Sequence, residues 1–401
     1  MNTKVDSSLY TDEVLSSDRR RGFVASSSLA LLAFATAFFP RVIAALGIPA
    51  AVNFLHFITI PFASFYVLSQ SRTRDYRQIA LAQGILFGLG ALLAVITASA
   101  LVNSAGVINV VLDFLLLGEP FVWMLAIAIL PLSASRLDFF RTWWMRFGLI
   151  NVLFGLIQAF VLRLNLLNAD HIKGVFIGQG SGHVVGGAVS LAFAVFYYAT
   201  AQRPVWIRVA ILLAAIVHLV VADAKQVFAV FLAALCLLIF LKAQNLSKLM
   251  QYLVITALFV VLLIVAANTV FHALLTWFDL EIQQQGMELK LSVFSILPTF
   301  YKSFLNWLFG LGPGHTVSRL GGWLVWDYKN LLDPLGVTRS QASVAVWRVT
   351  GQSWLGDRSS WFSPLFGWAG IWGDLGVVGL GVYVGLWVLV WQKVCYDDLS
   401  K

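Results

Sequence analysis

Residues 79–100 read IALAQGILFGLGALLAVITASA, a run with no charged side chain. A bilayer core about 30 Å thick needs about 20 apolar residues per helical crossing, and this run has that length. The overall composition also indicates a membrane protein, because the 401 residues are 60% hydrophobic and 11% charged, with a mean hydropathy of +0.84. A water-soluble domain carries more charge on its surface. The sequence therefore predicts an all-α, polytopic transmembrane helical bundle.

Further apolar runs on both sides predict about ten membrane spans. They lie near residues 23–40, 48–68, 79–100, 107–132, 143–162, 184–201, 205–222, 226–241, 250–269 and 367–391. Two weaker segments would raise the count to twelve if both crossed the membrane. The polar stretch 101–118 is alternatively a short helix with a re-entrant piece. The semi-apolar stretch 289–309 is expected to lie at the interface instead. The predicted organisation is a tail (1–22), a bundle (23–269), a large loop (270–366), a final helix (367–392) and a second tail (393–401).

Lysine and arginine in short loops predict the orientation, because loops rich in these residues stay in the cytoplasm. With the N-terminal tail inside, the short outer loops hold only Arg41, Arg163, Lys173 and Lys225, and the inner side collects most of the other basic residues. We therefore expect both termini in the cytoplasm and the large loop on the outer face. The net charge of +8 is mostly a topology signal, so nucleic-acid binding is not expected.

The cysteines and histidines do not predict a metal or disulfide site. Cys236 and Cys395 lie at the ends of predicted helices, without the spacing of a thiolate metal site. Asp170, His171 and His183 match no strong metal-ligand spacing either. We expect neither a metal nor a cofactor.

The short outer hairpin HLVVADAKQVFAVFL places Asp223 and Lys225 at a membrane face with almost no loop around them. Ionisable groups at such depth are candidate functional residues. Lys225 could present its cation to an anionic lipid headgroup, or the two charges could simply neutralise one another at a tight turn. His218 lies on the preceding helix, where an interhelical hydrogen bond is the favoured interpretation.

The outer loop RLNLLNADHIKGVFIGQGSGHVVGG, residues 163–187, combines Arg163 and Lys173 with several glycines. The glycines could let backbone N–H groups approach a phosphate, or could only permit a tight return into the bilayer. The order of glycines does not match a dinucleotide-binding motif.

The large outer loop carries the third group of candidates. LFGLGPGHTVSRLGGW, residues 308–323, places His315 four residues before Arg319, so the two would share a face if this segment were helical. Several outward arginines suit a polyanion such as a pyrophosphate, because guanidinium groups pair bidentately with phosphate oxygens, although arginines in a long loop can also be merely solvated. The loop is rich in tryptophan, which can anchor it to the interface or pack against sugar rings.

Four segments in order resemble the O-antigen polymerase and ligase superfamily, of the Wzy and WaaL type. They are DHIKGVFIGQGSGHVVG (170–186), ADAKQVFAVFLAAL (222–235), LFGLGPGH (308–315) and SSWFSPLFGWAGIWGDLGVVGLGVYV (359–384). The ligase branch has a histidine eleven residues before the first glycine of its last motif, where this chain has Leu365, and the polar pair Ser359-Ser360 lies upstream without any histidine. An exopolysaccharide repeat-unit polymerase is therefore the better match.

The resemblance implies a metal-independent glycosyltransferase at the periplasmic face of a bacterial inner membrane. Its substrates would be undecaprenyl-pyrophosphate-linked oligosaccharides, and its partners membrane lipids, a chain-length regulator and other polysaccharide export proteins. His315 would act as the base, with Asp357 and Asp374 behind it. The residues expected to bind the pyrophosphate are Lys225, Arg319, Arg348, Arg358, Arg163 and Lys173.

Three other functions remain open from the sequence: an O-antigen ligase, a transporter or flippase of lipid-linked sugars, and a non-catalytic scaffold of a polysaccharide export complex. A flippase would carry charges in the middle of several spans, whereas the middles of most predicted spans are uncharged. The enzyme is therefore the favoured interpretation.

Overall fold

The protein is described from a computed structural model. It covers residues 26–70, 76–130, 134–164, 169–178, 181–242, 250, 279–355 and 367–396. Within these ranges all regular secondary structure is helical, which agrees with the predicted all-α class. The predicted span 250–269 lies outside the described residues, apart from its first position.

Thirteen helices are labelled here in chain order. They are α1 Ser26–Phe38, α2 Pro40–Ala45, α3 His56–Gln70, α4 Tyr76–Asn103, α5 Val107–Ile129, α6 Ala134–Leu156, α7 Gly182–Thr200, α8 Val205–Val221, α9 Lys225–Lys242, α10 Leu280–Ile296, α11 Leu305–Phe309, α12 Gln341–Gln352 and α13 Trp368–Val390. Short 3-10 or π turns precede α3 at Ala50–Phe54, extend α6 at Ile157–Val161 and lie in the large loop at Leu320–Leu324.

Six helical segments of the described chain are long and apolar enough to cross a membrane. They are Ala50–Gln70, Tyr76–Asn103, Val107–Ile129, Ser135–Val161, Gly182–Thr200 and Trp368–Lys393. Three shorter apolar helices are Ser26–Phe38, Val205–Val221 and Gln226–Leu237. Large side chains such as Phe65 and Phe87 point outward, with exposed fractions of 71% and 81%. Such surfaces are costly in water and suit lipid, so the chain has the features of a membrane protein, while the predicted count of ten to twelve spans is not confirmed.

The centre of the bundle is formed by α4, α5 and α13. Ile96, Phe121 and Leu375 are fully buried there. Gly88 lets α13 approach α4 closely, because a Cβ atom at Gly88 would lie 2.3 Å from Leu386 Cδ2. Small residues at helix contacts are typical of membrane bundles, where close packing replaces the hydrophobic driving force.

The large loop folds back onto the ends of α4 and α5. Asn306 donates a hydrogen bond to Asn103 (2.8 Å), and Asn109, which is fully buried, donates to the carbonyl of Pro313 (2.9 Å). Asn103 and Asn109 therefore hold the loop, and α5 is one continuous helix from Val107 to Ile129. The semi-apolar stretch 289–309 is divided between α10 and α11.

Gly376 interrupts α13 at the point where the loop packs against it. Its φ is +68°, and an added Cβ atom would lie 2.3 Å from the Leu308 carbonyl oxygen. Glycine is required here both by the left-handed backbone and by the close approach of a second chain segment. This position fixes the large loop against the last helix.

We expect Gly376→Ala to lower the free energy of unfolding by about 3 kcal/mol, because strain at a positive φ adds to the clash with Leu308. The matched control is Gly381→Ala on the same helix, where an added Cβ atom meets nothing within 4 Å. Thermal unfolding of the two purified variants in detergent measures the difference. Equal melting temperatures would show that the contact does not hold the loop.

Candidate functional site

A cavity of about 500 Å³ lies between the large loop, the N-terminal end of α7 and the helices α1 to α3. Its volume is within the range of small-molecule sites, about 300–1,000 Å³. The polar side chains in its wall are Arg41, Asn53, His56, Glu119, Ser181 and Arg319. The segments predicted to face outward therefore meet at one end of the bundle, around two arginines.

Arg41 is held in place at the beginning of α2. Its Nη1 donates a hydrogen bond to the Tyr328 hydroxyl (2.9 Å), which also accepts one from Asn53 (3.0 Å). The guanidinium carbon lies 5.7 Å from the ring centre of Trp323, within the range of a cation–π contact. One N–H edge is thus used for anchoring, and the remaining donors are positioned beside the cavity.

Arg319 presents its side chain to the cavity directly before the π turn Leu320–Leu324. No acceptor in the described part of the chain lies within hydrogen-bond distance of its guanidinium, and the residue is exposed. The surrounding protein atoms partly desolvate the guanidinium and lower the pKa of Arg319, whereas the Glu119 carboxylate raises it. An arginine remains protonated despite such shifts, so five donors are directed at the cavity.

His56 and Glu119 form a close pair inside the same cavity. His56 Nδ1 lies 2.6 Å from Glu119 Oε1, and both side chains have an exposed fraction of 13%. His56 is the first residue of α3, whereas Glu119 precedes Pro120 within α5. Because an ionised carboxylate only accepts hydrogen bonds, Nδ1 carries the proton and Nε2 presents a lone pair.

The loop before α7 adds further positive charge next to the cavity. Lys173 donates a hydrogen bond from Nζ to the Gly178 carbonyl, and the side chain of Arg41 packs against Gly178. Burial lowers the pKa of Lys173, the nearby Asp170 carboxylate raises it and Arg41 lowers it further. Lys173 therefore lies near Arg41 without lining the cavity, and its contact with a pyrophosphate stays a prediction.

The glycines of this loop have mainly a packing role. A Cβ atom at Gly186 would lie 2.4 Å from the Lys173 carbonyl oxygen, and one at Gly182 would lie 2.3 Å from that of Phe176. These distances support the tight return into the bilayer. Gly182 and Ser181 also line the cavity, so the N-terminus of α7 faces it.

His315 does not have the geometry of a base. It is 6% exposed, Nδ1 lies 3.0 Å from the Leu311 carbonyl oxygen, and Nε2 lies 2.8 Å from the Thr338 hydroxyl. The segment from Pro313 to Ser318 is a series of turns, so His315 and Arg319 do not share a helix face. The expected pair is separated because His315 packs into the loop, whereas Arg319 faces the cavity.

Asp374 is fully buried and holds the Gly-Pro-Gly turn. Its carboxylate accepts hydrogen bonds from the backbone N–H of Gly314 and of Thr316 (both 2.8 Å) and from the Thr316 hydroxyl (2.6 Å). Its backbone carbonyl accepts one from Ser99 (2.7 Å). With these partners Asp374 connects α13 to the loop on both sides of His315, and its predicted catalytic role stays a prediction.

The remaining predicted site residues are dispersed. Arg348 is exposed on α12, and Arg163 is exposed after α6; neither lines the cavity. Lys225 begins α9 directly after the tight turn, but its side chain lies outside the described structure. Asp357 and Arg358 lie outside the described residues altogether.

His218 is an interhelical hydrogen-bonding residue, as predicted. Its Nδ1 lies 2.8 Å from the hydroxyl of Ser190, which in turn accepts a hydrogen bond from Asn151 (2.8 Å). Gly155 makes room for the ring, because a Cβ atom there would lie 2.2 Å from His218 Nε2. This network joins α6, α7 and α8 away from the cavity.

Arg41, His56 and Glu119 are cavity residues that were not predicted as site residues. Glu119 carried a usable signal, because a carboxylate inside a predicted span is a candidate functional group. Arg41 was treated only as part of the charge bias. The pairing of His56 with Glu119 depends on how α3 packs on α5, which residue spacing within one helix does not reveal.

Comparison with protein-family models, with curated proteins and with solved structures gives no match for this chain. Within the described part of the chain, no group of three or more His, Cys, Asp or Glu side chains is arranged to hold a metal ion. The site is a cationic cavity at one end of an apolar helical bundle, with a histidine–carboxylate pair in its wall. Such a cavity suits an anionic ligand that carries a reactive hydroxyl or leaving group.

Proposed function

We propose that the protein is a glycosyltransferase that polymerises oligosaccharide repeat units carried on undecaprenyl pyrophosphate. The observation that supports this most directly is the continuity between the cationic cavity and an apolar groove. The groove measures about 440 Å³ and shares Ala37, Phe176 and Val185 with the cationic cavity. Phe34, Phe147 and Phe193 add aromatic surface to it, and it has no charged side chain in its wall.

A site of this form suits a lipid with a strongly anionic head. The pyrophosphate would bind between Arg319 and Arg41, because guanidinium groups pair with phosphate oxygens through directed hydrogen bonds. The isoprenoid tail would follow the groove between α1, α6 and α7, where apolar contact is favourable. The glycan would then extend from the pyrophosphate toward the large loop.

In the proposed reaction an acceptor hydroxyl attacks the anomeric carbon of the donor glycan. The bond between that carbon and the pyrophosphate oxygen breaks, and the electron pair stays on the pyrophosphate. Negative charge grows on the leaving group, so preorganised guanidinium donors stabilise the transition state more than the ground state. Arg319 suits this role, since no described residue occupies its donors.

We expect Val185→Trp to weaken the binding of the lipid-linked donor, because the indole would fill the junction between the two cavities. An apparent affinity about tenfold lower corresponds to the loss of about two buried CH₂ groups. The matched control is Val195→Trp on the same helix, since Val195 is exposed and lines neither cavity. Apparent KM for the donor distinguishes the two variants. An equal KM for both would argue against the groove as the tail site.

Deletion of the gene, followed by analysis of the lipid-linked intermediates, tests the proposal in cells. A polymerase predicts single repeat units that accumulate on the carrier at the outer face, and complementation restores polymer. Long polymer that remains on the carrier would instead indicate a ligase. Repeat units trapped on the cytoplasmic face would indicate a flippase, and either result would contradict the proposal.

A flippase is the second candidate because of a cavity at the opposite end of the bundle. This cavity measures about 550 Å³, contains Arg77 and Lys393, and shares Trp144 with the apolar groove. The apolar groove is thus adjacent to both charged cavities. The groove offers no charged side chain to a passing glycan, which is why glycosyl transfer at one end is the better proposal.

A further inference from the structure

The His56–Glu119 pair differs from the other polar contacts of the cavity. A carboxylate that accepts the Nδ1 proton of a histidine orients the ring and stabilises its protonated form, which is the arrangement of a general base. The second ring nitrogen, Nε2, makes no hydrogen bond with a described residue, and His56 lines the cavity. Both requirements for a base, an oriented ring and an open lone pair, are therefore met.

We propose that His56 is the catalytic base that deprotonates the acceptor hydroxyl, and that Glu119 is its positioning residue. This inference rests on the proposed glycosyl transfer. It replaces His315 as the base, because both ring nitrogens of His315 are engaged by the loop itself. His56 and Arg319 line the same cavity, so one substrate complex can contact both.

The acceptor, the donor and the His56–Glu119 pair account for every proton transferred in this step. The acceptor oxygen forms a bond to the anomeric carbon, and its proton moves to His56 Nε2. The bond between the anomeric carbon and the pyrophosphate oxygen breaks, and its electrons leave with the undecaprenyl pyrophosphate. The imidazolium, stabilised by Glu119, then returns the proton to the released pyrophosphate or to water.

Electrostatic coupling connects the base to the cation that binds the leaving group. Arg319 interacts with the charges of Glu119 from α5, Arg41 from α2 and Tyr383 from α13. Glu119 is therefore hydrogen-bonded to the imidazole and also acts electrostatically on the guanidinium. His183 is another imidazole near this end of the bundle, and it lies 3.6 Å from Asp170.

The test is steady-state kinetics of the purified full chain with a synthetic polyprenyl-pyrophosphate oligosaccharide as donor and acceptor. We expect His56→Gln to lower kcat by about 10²–10³-fold with little change in donor affinity, because general-base catalysis contributes about that much. We expect Glu119→Gln to lower kcat by at least about tenfold while the KM for the donor stays unchanged, because the ring loses the carboxylate that fixes its orientation and tautomer. A merely structural contact would not separate kcat from KM in this way.

Two histidine variants serve as controls. His171→Gln changes an exposed histidine, and neither His171 nor His183 lines the cavity, so His171→Gln and His183→Gln should both retain kcat. Binding of undecaprenyl pyrophosphate at the affinity of the unchanged protein shows that a variant is folded. If His56→Gln does not fold, the kcat of folded Glu119→Gln still decides the proposal.

The inference is overturned if His56→Gln keeps its kcat, or if Glu119→Gln keeps its kcat while Arg319→Ala lowers turnover as expected. That combination would leave the proposed function intact and remove only the base. Failure of the unchanged protein to bind the donor or to extend the glycan would instead contradict the proposed function itself.

Discussion

Replacing Arg319 by alanine is expected to lower the rate of polymer formation by about 10²–10³-fold, the usual effect of removing a donor that stabilises developing negative charge. Its guanidinium faces the cavity and pairs with no described residue, so the variant leaves no internal acceptor unsatisfied. Arg319→Lys should retain more activity than alanine, yet less than arginine, because an ammonium keeps the charge and loses the planar pair of donors.

The matched control for Arg319 is Arg348→Ala. Arg348 is exposed on α12 and does not line the cavity, so we expect its removal to change the rate by less than a factor of about two, which is within the usual effect of a surface substitution. Radiolabelled or mass-resolved glycan ladders measure both variants. An equal loss of activity in Arg319→Ala and Arg348→Ala, or near-normal activity of Arg319→Ala, would show that the leaving pyrophosphate binds elsewhere.

The second large effect is expected from Asp374→Ala, which should lower the stability of the fold without acting on the reaction directly. The substitution leaves the buried N–H groups of Gly314 and Thr316 and the Thr316 hydroxyl without their acceptor. Each such loss costs about 1–3 kcal/mol, so we expect the free energy of unfolding to fall by about 4 kcal/mol. Asp374→Asn should be intermediate, because one amide oxygen can still accept while the NH₂ group faces a donor.

Melting temperature and specific activity together separate this role from catalysis. We expect Asp374→Ala to melt at a lower temperature than the unchanged protein and to keep substantial activity in the fraction that remains folded at low temperature. A normal melting temperature combined with complete loss of turnover would restore Asp374 as a catalytic candidate.

Several coarse features of the fold were predictable, because each depends on local sequence. Apolar runs without charge predict helices such as α4 and α13, and Asp223 with its neighbours predicts the tight turn between α8 and α9. The motif glycines also indicate special backbone, and Gly376 indeed has a positive φ. Length and hydropathy do not reveal whether a short helix such as residues 26–38 crosses the membrane. The helical class was therefore predictable from the sequence, whereas the number of spans was not.

The site was only partly predictable, because its members come from segments far apart in the chain. Arg319 was expected and lines the cavity, and Lys173 lies next to it. His315 and Asp374 were chosen as reactive residue types near glycine-rich turns, yet the fold uses their polar atoms to hold the large loop. Glu119 contacts His56 only because α3 packs on α5, and residue spacing within one helix does not predict a contact between helices.

The most direct test of the central claim is reconstitution of the purified protein in liposomes with undecaprenyl-pyrophosphate-linked repeat units as the only other substrate. Mass analysis of the lipid-linked products is the measurement. We expect glycans that grow by whole repeat units, with one undecaprenyl pyrophosphate released at each step, and growth that is slower by about 10²–10³-fold with Arg319→Ala. Unchanged repeat units in the presence of folded, donor-binding protein, or their movement across the bilayer without growth, would contradict the central claim.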